Sequence, residues 1–247
     1  MSLTAQQRET YRRAGHLTVP GVFTAAEMDG AIADIEAWGE QFLRDLDPAQ
    51  RQWYLDGGVK ARTVLRKLDN PVYHRPALRA LAASPALVGL VEDLIGSGVS
   101  VCFSQIFFKP PGGGGPKPVH QDNFYFGPHD RERIITAWMA LDEATIENGC
   151  MQFGEGTNLG PVLTHVAPPG EPFNLQVPPD IAREFPMTPA PVPKGGVSFH
   201  HGNVLHQSPD NFSPRWRRAA AIHYVGNDNW FETPALPYDE GVVVKIT

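Results

Sequence analysis

A chain of 247 residues is long enough for one sizeable domain, and a formal net charge of −6 with 42% hydrophobic and 19% charged residues is an ordinary globular composition. No stretch approaches the ~20 apolar residues that a membrane helix needs, and no basic cluster other than "RWRR" would draw nucleic acid or an anionic membrane, so a small molecule is the expected partner. The opening "MSLTAQQRETYRRAG" lacks the apolar core of a secretion signal, which places the protein in the cytoplasm, and Cys102 and Cys150, the two cysteines, form no CxxC pair, so any metal would be held by nitrogen and oxygen.

Helices come first. Thr4 with Gln7 spells a capping box for a short helix, and Thr24 with Glu27 spells a second, with Phe23 and Met28 as its hydrophobic staple, running to about Phe42. Ser84 before Pro85 opens a third helix, whose apolar face is Leu87, Leu90, Val91 and Leu94 and which stops at Gly96. From about residue 99 the runs "VSVCFSQIFFKP", "IITAWMALDEAT", "CMQFG", "GGVSFHHG" and "RRAAAIHYV" are of β type and are separated by glycine, proline and asparagine. This order predicts a mainly β protein with N-terminal helices packed outside an antiparallel sandwich or barrel. A single domain is expected, residues 1–98 mainly helical and residues 99–247 the β core. Residues 167–193 hold nine of the 24 prolines and read as a long ordered loop.

Within "PKPVHQDNFYFG", His120 and Asp122 stand two apart; on a strand that spacing aims both to one face and Gln121 to the other. An imidazole and a carboxylate so placed are two thirds of the 2-His-1-carboxylate set of non-haem iron oxygenases, although such tripeptides also arise by chance. His129, His165, His200, His201, His206 and His223 are the candidates for the second imidazole, three of them inside "GGVSFHHGNVLHQSPDN". Eleven residues after His206, the run "RRAAAIHYV" puts Arg217, Ala219, Ala221 and His223 on one strand face, a guanidinium with space beside it for a carboxylate. Phe103, Phe107, Phe124 and Phe126 read as core. Trp53, Tyr54 and Arg62, in a segment no core demands, are the candidates for a substrate pocket, Arg62 for an acidic group on the substrate.

The segments "KPPGGGGPKPVHQDNFYF", "TAWMALDEATIENGC" and "GNVLHQSPDNFSPRWRRA" together resemble the phytanoyl-CoA dioxygenase family of iron(II)/2-oxoglutarate-dependent oxygenases. The opening "LTAQQRETYRRAGHLTVPGVFTAAEM" is similar to that family's N-terminal helix, short strand and second helix, so only residues 45–65 and the proline-rich loop stay unmatched. The resemblance implies a double-stranded β-helix, a cupin-like jelly roll. It implies that His120, Asp122 and His206 bind Fe(II) and that Arg217 anchors the distal carboxylate of 2-oxoglutarate, with Arg218 facing away. Ser208, Trp138, Gln105 and Lys67 are implied as further cosubstrate contacts. The implied activity consumes O2 and 2-oxoglutarate, releases succinate and CO2, and hydroxylates a small molecule, possible variations being ring closure, epimerisation or desaturation, in the setting of secondary metabolism. Asp122 stands where related halogenating enzymes have a small residue, which implies oxygenation and not chlorination, and an acyl-CoA is disfavoured because its phosphates would call for a basic patch. The chain departs from the family at "FGEGTN", where a proline-glycine-serine-histidine turn is usual; in the family that loop lies near the site's mouth, so Glu155, Thr157 and Asn158 bear on the substrate.

Overall fold

The computed structural model describes residues 1–55, 64–168 and 174–247; Arg62 lies outside the described residues. Both capping boxes form. Thr4 and Gln7 satisfy each other's orphan groups at the start of α1 (Ala5–Ala14), and Thr24 and Glu27 do so at α2 (Ala25–Asp45), which continues three residues past Phe42. Between them lies β1 (His16–Val19). The short pieces α3 (Arg51–Tyr54), β2 (Lys67–Asp69), α4 (Pro71–His74) and α5 (Pro76–Ala82) lead to α6 (Pro85–Ile95), where Ser84 caps the Leu87 N–H and the chain exits through left-handed Gly96. Among the described residues no helix is long and apolar enough to cross a membrane.

The rest is strand-rich: β3 (Val99–Lys109), β4 (Lys117–His120), the one-turn α7 (Asp122–Phe126), β5 (Ile134–Ala140) and β6 (Met151–Gly154). After these come α8 (Pro179–Ala182), β7 (Thr188–Ala190), β8 (Val197–His201), β9 (Leu205–Ser208), β10 (Arg217–Gly226) and β11 (Val244–Lys245). One antiparallel sheet runs β1-β8-β5-β10-β3-β11 with β2 also on β3, and a smaller one runs β4-β9-β6-β7. Two sheets of this order are the jelly roll expected from the sequence. The N-terminal region adds more than helices, since β1 and β2 complete the larger sheet at opposite margins. The proline-rich stretch is not one loop: α8 and β7 fall within it, and β7 pairs with β6 in the register Met151↔Ala190.

The two faces of the larger sheet have different jobs. Ile135, Ala137 and Met139 of β5, Ala220, Ile222 and Tyr224 of β10, and Val197 and Phe199 of β8 pack against α2, α5 and α6 in the main core. The alternate residues, among them Thr136, Trp138, His200, Ala221, Arg217 and His223, face the smaller sheet across a cavity of about 250 Å³. One wall of that cavity depends on Gly127, whose φ of 54° ends α7 in the left-handed region. A Cβ there would lie 2.3 Å from the Thr233 carbonyl, and the same close approach lets Gly127 O accept the Glu232 N–H at 2.9 Å and Tyr125 O accept the Ala235 N–H at 3.0 Å.

Candidate active site

Strand register brings the first two groups together. His120 and His206 are direct cross-strand partners on β4 and β9, and their ring centroids are 4.1 Å apart. Each ring is fixed by its own backbone: His120 Nδ1 donates to the Pro118 carbonyl at 2.8 Å and His206 Nδ1 to the Val204 carbonyl at 3.0 Å. A carbonyl oxygen only accepts, so Nδ1 carries the proton and Nε2 keeps its lone pair for a metal. Burial, then the neighbouring His206 and Lys117, push the His120 imidazole well below its ordinary range, which keeps it neutral.

The carboxylate arrives by a different route from the one expected. β4 ends at His120 and Asp122 begins α7, with Gln121 extended between them (φ −126°, ψ 131°), so the pair still faces one way although only His120 is in a strand. Gln121 points away, as the spacing predicted, and clamps the linkage: its side-chain amide donates to the Pro161 and Asn203 carbonyls at 3.1 and 2.6 Å, and its Oε1 accepts the Leu163 N–H at 2.7 Å. Its own backbone N–H donates to His165 Nε2 at 2.9 Å, which gives that histidine a task outside the metal set. Asp122 Oδ1 lies 3.8 Å from His120 Nε2 and 3.6 Å from His206 Nε2, and the three ligand atoms all lie within 4.8 Å of one another.

The opposite sheet holds the other carboxylate oxygen. Oδ2 accepts from Thr136 Oγ1 at 2.6 Å and from His200 Nε2 at 3.1 Å, and Thr136 Oγ1, having spent its proton on Asp122, accepts from His223 Nδ1 at 2.8 Å. Register explains this row, because His200↔Thr136 and Thr136↔His223 are cross-strand partners on β8, β5 and β10. Burial opposes a charge on Asp122, but His206, His200 and His223 outweigh it and hold the carboxyl well below the usual range. Oδ1 is thus the oxygen presented to the two free Nε2 atoms. Thr136→Val, which removes this donor at nearly constant volume, is expected to lower Co(II) affinity by roughly 10- to 100-fold in calorimetric titration without unfolding the protein. Unchanged affinity would show that Thr136 does not orient the carboxylate.

Arg217 is 1% exposed, and among the described residues its Nε and Nη2 have no hydrogen-bond partner. Its guanidinium carbon lies 5.4 Å from the centre of the Trp138 ring, and Ala219 and Ala221 follow it on the same strand face. Burial pulls its pKa down to about 10, so it stays charged near neutrality. A buried cation with unsatisfied donors is costly unless an anion meets it; the two alanines leave the space. Arg218 does face the other way, to Asp142 at 2.7 Å and to Glu36. Ser208, Gln105 and Lys67 all line the same cavity, and the last two meet at Asp69: Gln105 Nε2 donates to it at 2.7 Å and Lys67 Nζ at 2.9 Å.

Other candidates fall elsewhere. His201 meets Glu132 at 3.2 Å, and exposed His129 stacks on Trp230; neither lines the cavity. Of the four phenylalanines read as core, Phe103, Phe107 and Phe126 line the cavity, while Phe124 stacks on His165. Trp53 reaches the cavity, whereas Tyr54 packs on Phe42 at 4.7 Å and does not line it. The "FGEGTN" loop is also away from it: Glu155 lies 3.5 Å from His16, and Asn158 donates to the Arg12 carbonyl at 3.0 Å. Sequence reasoning missed Thr136, Lys117, Arg66, Tyr125 and Asn174. Only Thr136 left a signal, standing two before Trp138 on an alternating strand.

Two imidazoles with free Nε2 atoms and one oriented carboxylate oxygen fit a divalent first-row metal, and the unsatisfied guanidinium fits a carboxylate. Fold and donor set are those of the non-haem iron(II)/2-oxoglutarate-dependent dioxygenases, which use O2 as co-reactant. The phytanoyl-CoA dioxygenase (PhyH) family model matches residues 11–219, and the chain belongs to that family. The chain is 32% identical over 179 residues to mouse phytanoyl-CoA dioxygenase domain-containing protein 1, a match covering 67% of the chain and 61% of the mouse protein's length. A protein of Stutzerimonas stutzeri described as a probable alpha-ketoglutarate-dependent hypophosphite dioxygenase is 27% identical, over 92% of this chain and 80% of that one. The crystal structure of the alpha-ketoglutarate-dependent carbocyclase SnoK from nogalamycin biosynthesis superposes with a TM-score of 0.77, covering 99% of this chain and 97% of that one at 23% identity, a likeness of fold.

Proposed function

We propose that this enzyme hydroxylates a C–H bond of a small molecule, as a tailoring step in secondary metabolism, with His120, Asp122 and His206 as the ligands of Fe(II). When bound, iron(II) with 2-oxoglutarate and O2 supplies the oxidising power, and 2-oxoglutarate leaves as succinate and CO2. The protein's own groups do the placing. His120 and His206 present fixed lone pairs and Asp122 one oxygen; these three would hold the metal from the protein side and would leave room on it for reactants. Arg217 takes the distal carboxylate of 2-oxoglutarate, Trp138 sits beneath the guanidinium, and Ser208, Gln105 and Lys67 complete that end. The aromatic walls exclude water and hold the substrate close to the metal. Asp122 fills the place that chlorination would need open.

The single observation that carries this reading is the buried guanidinium, two of whose donors have no partner among the described residues, sharing one cavity with the His-Asp-His cluster. A cupin-type metalloenzyme that needs no 2-oxo acid would leave Arg217 without a task. Anaerobic addition of 2-oxoglutarate to the Fe(II)-loaded protein is expected to produce a visible charge-transfer band. Aerobic incubation with ascorbate should then release succinate slowly, and faster with substrate. A band without succinate in any metabolite panel would mark a silent binding module, and no band would sink the proposal. The carbocyclase likeness keeps ring closure as the second reading, together with epimerisation and desaturation; product analysis separates these from hydroxylation.

A further inference from the structure

Cross-strand register lines up a row of side chains on the inner face of the larger sheet. His16 of β1 pairs with His200 of β8, His200 with Thr136 of β5, and Thr136 with His223 of β10. Asp122 draws on the middle of that row, through His200 Nε2 and Thr136 Oγ1. His16 stands at the row's end, outside the cavity lining.

Buried polar atoms gather at that end. Of nine buried side-chain nitrogen and oxygen atoms without a hydrogen-bond partner among the described residues, four belong to His16, Ser198 and His200. They share one face, since His16 and His200 are cross-strand partners and Ser198 stands two before His200 on β8. His200 Nε2 gives its proton to Asp122 Oδ2, and burial pulls the pKa of this ring down to about 4, so its Nδ1 is a bare lone pair. Burial also lowers the pKa of His16, against the pull of Glu155, and keeps that ring neutral. Its Nε2 lies 3.5 Å from Glu155 Oε1, an acceptor, so the proton belongs on Nε2 and His16 Nδ1 is a second bare lone pair. Both rings pack on Phe153, which stacks flat on His16 at 4.2 Å and lies 5.4 Å from His200. Two lone pairs on cross-strand neighbours cannot bond each other, and a buried acceptor without a donor is costly.

We propose that a single buried water joins them, donating one proton to His16 Nδ1 and the other to His200 Nδ1, with the Ser198 hydroxyl as a further donor on that face. The chain then runs Glu155, His16, water, His200, Asp122, from a partly exposed loop to the carboxylate read above as a metal ligand, and every donor in it meets an acceptor. Its effect is to fix a tautomer. A His200 ring carrying its proton on Nδ1 would turn a lone pair toward Asp122 and leave Oδ2 to Thr136 alone. His16 is therefore a positioning residue, and the "FGEGTN" departure gains a task through Glu155.

The test uses the full-length protein loaded with Zn(II) and labelled with 15N-histidine. Zn(II) binding by the native protein is measured first by calorimetry; its absence would strike the ligand assignment, while the spectra still decide the water. In the native protein the His200 ring is expected to be protonated on Nε2, with its Nδ1 signal moved upfield from that of a bare imidazole nitrogen, the mark of an accepted hydrogen bond. A bare Nδ1 signal, a ring protonated on Nδ1, or an atomic-resolution crystal structure with no density between the two rings would overturn the proposal. His16→Phe keeps the stack on Phe153 and removes both nitrogens. It is expected to return the His200 Nδ1 signal to the bare position or to mix the tautomers, and to weaken Zn(II) binding by about two- to tenfold. His16→Gln, which keeps one acceptor and one donor, should retain the native spectrum and affinity. Affinity lost in both variants with the His200 signals unchanged would make His16 a packing residue and sink the water chain.

Discussion

Arg217→Met is expected to weaken 2-oxoglutarate binding sharply and, at the same time, to make the ligand-free protein more stable. The guanidinium is 1% exposed and, among the described residues, its Nε and Nη2 have no hydrogen-bond partner, so a methionine of similar length removes a desolvated charge and adds apolar packing. Each kcal/mol gained would raise the melting temperature by about 2–4 °C for a protein of this size. Loss of the buried charge partner should cost the cosubstrate about 2–5 kcal/mol, or roughly 30- to 4,000-fold in affinity. Calorimetry of 2-oxoglutarate binding and thermal unfolding with and without it check both halves. A variant that gains as much stability from 2-oxoglutarate as the native chain, at the same concentration, would remove Arg217 from the cosubstrate site.

The second large effect concerns the metal. Asp122→Ala and His206→Ala should each reduce Co(II) affinity by roughly 100-fold or more, since a three-donor set that loses one member no longer fixes the ion. His201→Ala should leave metal binding unchanged, because that ring faces Glu132 and lies outside the cavity. His200→Ala falls between these cases: its Nε2 holds Asp122 Oδ2 at 3.1 Å without belonging to the donor set. Cobalt absorption spectra of the four variants give the ranking. His201→Ala losing the metal while His206→Ala keeps it would overturn the ligand assignment.

Much of this was legible in the residues, for physical reasons that differ from place to place. The capping boxes at Thr4 and Thr24 are local hydrogen-bond devices, and local devices read directly from spacing. The face shared by Arg217, Ala219, Ala221 and His223 followed from strand period alone, and it held because β10 stays regular until the shift between His223 and Tyr224. Spacing also put His120 and Asp122 together, although through an extended residue entering a helix and not along one strand. What could not be read was anything set by register between distant strands. The Thr136 bridge from His223 to Asp122 joins residues 87 and 14 positions apart, and no pattern in a single strand announces it. Phe103 and Phe107 departed from the core reading for a related reason: a residue on the inner face of a sheet looks like core whether or not the other sheet closes on it, and these two face a hollow, whereas Phe126 is buried in a hydrophobic cluster as well as lining the cavity. The Glu155 to Asn158 loop was placed at the site's mouth by family likeness, whereas its contacts tie it to His16 of β1 and Arg12 of α1, which no local pattern announces.

The outer wall of the cavity comes from Trp53 and Arg66 on one side and residues 234–238 on the other, the latter beyond residue 219 where the family match ends. The reactive centre, by contrast, is rooted in paired strands at His120 and His206, with Asp122 at the start of α7 held from β5 and β8. Mutation around Trp53 and Arg66 or at residues 234–238 can therefore retune what enters without touching how it reacts, so a duplicated copy of such a gene starts life already competent and can acquire a new diet through drift in those stretches.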